Sequence, residues 1–152
     1  MTMGSGILPV IDLLDFLYKK AMYLVLSYHK EDTSFIRPKQ DYSQILFGAR
    51  FRLYCSFSNI SEFSGWQWIS KLAQLSQEYN MGLFECVANV NTDSRMGGIQ
   101  VTNQKFDSEF LRRELIERQF DKFWVCGNHK FNSQIGADAV KVGVDENNIV
   151  FI

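Results

Sequence analysis

The chain has 152 residues, 46% of them hydrophobic, and a formal net charge of −1. That length and apolar content suit one domain, residues 1–152, with a sizeable core, and the balanced charge removes the electrostatic case for a nucleic-acid partner. Three cysteines with no Cys-x-x-Cys pair, and two scattered histidines, exclude a fully paired disulfide framework and argue against any metal site.

In chain order, Gly4-Ser5-Gly6-Ile7-Leu8-Pro9 is a short glycine turn opening a helix. Backbone N–H groups in such a turn can approach a phosphate, aided by the helix dipole. Ile7, Val10, Ile11, Leu14, Leu17, Tyr18, Ala21 and Val25 recur at helical spacing and predict a helix from about Leu8 to Tyr28. Pro9 suits its first turn, and Asp15 and Lys19 form a favourable pair four residues apart. The apolar run Ala21 to Ser27 is too short to span a bilayer, and no secretory signal is read at the start. Residues 29–49 read as a polar connection, with a short helical turn at Tyr42–Leu46.

Arg50 to Phe57 reads as a strand, Ser58–Ser61 as a turn, and Trp68, Ile69, Leu72, Leu75 and Tyr79 as one face of a second helix ending at Asn80-Met81-Gly82. Trp66 and Trp68 are two apart and cannot share a helix face. Leu83 to Val90 predicts a strand, and Asn91 to Lys105 a polar loop carrying Gly97-Gly98. Asp107 is the expected cap of a third helix with Phe110, Leu111 and Leu115 inward. On its outer face, Glu109–Arg113 and Arg113–Glu117 are spaced for ion pairs, so Arg112-Arg113 reads as a solvated face rather than an anion patch. Lys122 to Cys126 predicts a third strand. Asn132 is the expected cap of a last helix closed by Gly143, and Asn148 to Ile152 a final strand.

Strands alternating with helices imply parallel pairing. The expected fold is therefore α/β, a three-layer, doubly wound, mostly parallel sheet with a truncated first strand. Only Met1-Thr2-Met3 precede the glycine turn, a span of about 10 Å. A strand in that place is normally central, beside the switch point where ligands bind. Its shortness points to a flavin-binding segment or another protein chain completing the sheet; the plainer alternative is a short, frayed first strand in a distorted sheet. The cysteines each sit in or at the end of apolar runs, and buried reduced thiols favour a reducing intracellular compartment, cytoplasm or mitochondrion.

Gly4-Ser5-Gly6-Ile7-Leu8-Pro9 followed by Ile11-Asp12-Leu13-Leu14, together with Phe123-Trp124-Val125-Cys126-Gly127, resembles the nicotinamide-nucleotide-binding half of the ferredoxin–NADP reductase superfamily, in its ferric-reductase and NADPH-oxidase-like members. The resemblance implies a ferredoxin reductase-like domain that binds NAD or NADP and exchanges hydride with FAD held elsewhere. It implies that Gly4, Ser5, Gly6, Ile7 and Pro9 shape the pyrophosphate turn, that Ser58 and Asn59 lie near the adenosine ribose, and that Gly127 and Asn128 contact the cofactor. Cys126 would sit beside the nicotinamide as the catalytic-site residue, and Phe151-Ile152 would approach the flavin edge. The chain departs from the family pattern at Met3, where a glycine is common, at Asn128-His129, where Pro-Pro is usual, and after Val90, where a Ser-Arg pair is missing and Arg95 follows only later. NADPH preference is thus unsupported.

Plainer readings stand beside these. Cys126 is equally a buried structural thiol, Ser58-Asn59 a plain turn, and His129 a loop residue with no adjacent carboxylate in sequence. Two functions follow: a nucleotide-binding component of a flavin-dependent oxidoreductase in electron transport, or a non-catalytic accessory subunit of reductase-like fold, with no cofactor, in a larger assembly.

Overall fold

The computed structural model describes residues 2–3, 10–28, 49–90, 96–116, 118 and 120–152. The elements are β1 (Thr2–Met3), α1 (Ile11–Tyr28), β2 (Phe51–Phe57), α2 (Trp66–Glu78), β3 (Phe84–Val90), β4 (Ile99–Thr102), α3 (Ser108–Leu111), a π turn (Arg112–Ile116), β5 (Phe123–Val125), α4 (His129–Lys141) and β6 (Ile149–Phe151). Short 3₁₀ turns occupy Ile60–Glu62 and Glu146–Asn148. The class is α/β. Four strands form a sheet in the order β1-β2-β3-β4, β5 and β6 form a second pair, and every described pairing is parallel.

β2 and β3 pair along their full length, from Phe51↔Phe84 to Phe57↔Val90. Their side chains alternate between two faces. On one face Leu53, Cys55 and Phe57 join Leu17 and Ala21 of α1 and Ile69, Leu72 and Ala73 of α2. On the other, Tyr54 and Val87 join Phe110, Leu111, Leu115, Val125, Ile135 and Ala139. Apolar burial on both faces explains why these strands read as nearly continuous apolar runs.

Local chemistry sets the ends of the elements. The Ser76 hydroxyl near the end of α2 accepts from the N–H groups of Leu83 and Phe84 at 3.2 and 3.0 Å, tying the helix to the start of β3. Asn80 (φ 48°) and Gly82 (φ 60°) make the intervening reversal. Asp107 caps α3, its carboxylate accepting from Phe110 N–H at 3.0 Å. Gly143, in the left-handed region at φ 106°, follows the last helix.

Several expectations require correction. The stretch after Val90 holds strand β4, paired from Cys86↔Ile99 to Asn89↔Thr102. It escapes pattern reading because only Ile99 of its four residues is buried. Gly98 (φ 73°) lets the turn before β4 lie on α2, where a Cβ would stand 2.5 Å from Gln74 N. The third helix is four α residues followed by a π turn. Its Arg113 pairs with Glu114 at 3.2 Å, and Glu117 lies outside the described residues. The cap of α4 is Asn128 rather than Asn132, which sits inside the helix. The start of the first predicted helix at Leu8, the turn at Tyr42–Leu46 and Arg95 also lie outside the described residues.

Candidate functional site

The residues expected to hold a nucleotide follow the ends of β1, β2 and β5. Gly4, Ser5, Gly6, Ile7 and Pro9 lie outside the described residues. β1 itself pairs with the carboxyl-terminal half of β2, Thr2↔Cys55 and Met3↔Ser56.

At the end of β2, Ser58 and Asn59 open the 3₁₀ turn. Asn59 is its cap: the side-chain oxygen accepts from Ser61 N–H at 3.0 Å, and its amide donates to Glu62 at 2.9 Å. The Ser58 N–H donates to the other Glu62 oxygen at 3.2 Å. A carboxylate thus sits against both residues.

At the end of β5, Cys126 is buried and its thiol is free. Gly127 follows, and a Cβ there would stand 2.5 Å from the Phe131 ring, so a larger residue would displace that ring. The Asn128 side-chain oxygen accepts from Phe131 N–H at 2.9 Å and starts α4. His129 is the exposed first residue of that helix rather than a loop residue. The Phe151 ring lies on α4 at Gly136, where a Cβ would be 2.5 Å from it.

A cluster of charges missed by sequence reading stands below β2. Arg52 pairs with Glu85 of β3 and Glu114 of the π turn, both at 3.3 Å. Arg118 reaches Glu114 at 3.2 Å, and Tyr54 donates its hydroxyl to the same carboxylate at 2.8 Å. The Arg52 and Glu114 side chains are only 9% and 10% exposed. The Arg52 nitrogens facing these carboxylates are close enough for charge attraction but not aligned for hydrogen bonds. Burial works against charge on Glu114, but the hydrogen bonds from Tyr54 and Arg113 and the charges of Arg52 and Arg118 outweigh it. The carboxyl is held below its ordinary range. Burial, then the bond to Glu114, pushes the Tyr54 phenol up, so it remains a donor. The cluster is an ionic clamp between strand and π turn. The alternation of Arg52 and Tyr54 inside an apolar strand was its one sequence signal.

Beside this clamp lies a cavity of about 700 Å³ between β2 and β5, whose lining includes Cys126 and Leu17. Among the described residues no group of His, Cys, Asp and Glu could hold a metal, and no helix is long and apolar enough to cross a membrane. No family model matches the chain, nor does any curated protein or solved structure.

Proposed function

We propose that this chain is the pyridine-nucleotide-binding half of a flavin-dependent oxidoreductase, built on a doubly wound sheet and working with FAD carried on another segment or chain. The observation that carries this reading is β1. It pairs parallel with β2 near that strand's carboxyl end, and Gly4-Ser5-Gly6 follows it at once in the sequence. In parallel α/β sheets ligands bind outside the carboxyl ends of strands. Gly127 fits the same role, since it follows β5, has no side chain and precedes the first turn of α4. Bound NAD(P)H would supply a hydride, accepted by the flavin ring. The chain's own residues would bind and orient the nucleotide: Gly4, Ser5, Gly6, Ile7 and Pro9 at the pyrophosphate, Ser58 and Asn59 toward the ribose, and Cys126, Gly127 and Asn128 beside the nicotinamide.

The test is titration of the folded chain with NADH, NADPH and FAD separately, followed by tryptophan fluorescence. The expected result is saturable binding of a pyridine nucleotide below about 1 mM, the upper end of ordinary substrate constants. The Gly6→Val variant should lose that binding with its melting temperature unchanged. A cooperatively folded chain silent to both nucleotides overturns the reading.

That silence would favour the second reading, a reductase-like accessory subunit without a cofactor. One observation speaks for it: the side-chain oxygens of Asn59 and Asn128 are already engaged in capping their own turns.

A further inference from the structure

The cavity of about 700 Å³ between β2 and β5 is walled by strand and helix residues. One lateral wall is Phe51–Tyr54 of β2 and the other is Phe123 and Trp124 of β5. Leu13, Leu14 and Leu17 of α1 close one face, and Leu115 and Arg118 close the other. Two strands at the sides and a helical element on each face are what surrounds an inner strand of a covered parallel sheet.

The β2 wall is an unfinished ladder. Phe51 N–H donates to Leu83 O at 2.9 Å, on the β3 side. Peptide groups alternate sides along a strand, so those of Arg52 project toward the cavity. The described residues of β1 lie level with Cys55 and Ser56, and no described strand meets Arg52 on that side. Peptide groups at an inner position require partners.

We propose that this cavity is a strand site, filled by a short extended segment parallel to β2, in line with β1 and on its amino-terminal side. The β1 register fixes the details. Continued backward, it sets three positions level with Leu53, Arg52 and Phe51, a length of about 10 Å. Side chains level with one another on neighbouring strands share a face. The positions level with Leu53 and Phe51 face α1 and take apolar residues. The position level with Arg52 faces the Arg52–Glu114–Arg118 clamp and takes a small polar one. The occupant therefore reads apolar–polar–apolar, and the filled sheet runs β4-β3-β2-β1-β5-β6. This proposal stands on strand pairing and holds whether or not a nucleotide binds.

The phase of that pattern is its test. Three forms of the full chain share one leader: the parent, one with Val-Thr-Val placed directly before Met1, and one with Thr-Val-Thr there. The Val-Thr-Val form should melt at least about 5 °C higher than the parent, a shift ordinary for filling a core site in a domain of this size. Hydrogen exchange at the Arg52 amide should slow by roughly tenfold or more. The Thr-Val-Thr form, which turns its valine to the charged face, should show less than half of either gain. Equal behaviour of the two extended forms, or no gain from either, overturns the proposal. So does an equal gain from a free Val-Thr-Val peptide, which would place the source of the segment on a separate molecule.

Discussion

The two faces of the β2–β3 pair are held by different physics. Toward α1 and α2 the strand's contacts form an apolar cluster: Leu53, Cys55 and Phe57 join Leu17, Leu72 and Ala73. Toward the π turn the same strand presents Arg52 and Tyr54 to a buried carboxylate, Glu114. The first face gains from every methylene removed from water and is indifferent to pH. The second sets the cost of desolvating two charges against their mutual attraction, and it becomes a liability when one partner is lost.

The largest effect expected is on the apolar face. Leu72→Ala empties a fully buried position and should cost about 3 kcal/mol in urea unfolding, with the same loss at pH 7 and pH 4. A loss that varies with pH would break the contrast. On the ionic face, Glu114→Gln should cost about 2 kcal/mol at pH 7. Because the folded Glu114 carboxyl is held below its ordinary value of 4.5, its share of stability is present above that value. It is lost as pH falls through the depressed one. Parent and variant should therefore converge in acid, and parallel stability curves from pH 7 down to pH 3 would refute the clamp. The smallest effect is at the rim. Arg113, 46% exposed, should cost no more than about 0.5 kcal/mol on replacement by alanine, diminishing in high salt. A larger, salt-insensitive loss would mean that the clamp extends to the surface.

The same division explains what was legible in the sequence. Periodicity found α1, β2, α2 and β3 because their inward residues are apolar and regularly spaced. It placed Phe110, Leu111 and Leu115 correctly in the interior, and the Asp107 cap was visible as an acid before an apolar run. Trp66 and Trp68 divide as their spacing demands, Trp66 packed on the core and Trp68 66% exposed against Tyr18. Glu114 was illegible because an acid in a charged run reads as solvated, and only the approach of Arg52 and Tyr54 from sixty residues away makes its burial tolerable. β4 was illegible because backbone pairing, rather than apolar pattern, holds it. At the candidate site the sequence identified the loops that follow β2 and β5. It did not reveal that Asn59 and Asn128 serve their own turns, since the same residue types favour caps and ligand contacts alike.

The sulfur atoms carry one last consequence. Cys55, Cys86 and Cys126 are all free and all buried, and burial with the neighbouring Cys55 pushes the Cys86 thiol up. Thiolate character and access together govern alkylation, so Cys55 and Cys86 are blank to maleimides, whereas Cys126 lines the cavity between β2 and β5. Once Cys126 is replaced, one cysteine introduced at an exposed helical position such as Val140 becomes a unique handle for a dye or spin label, with no need to strip Cys55 and Cys86 from the interior.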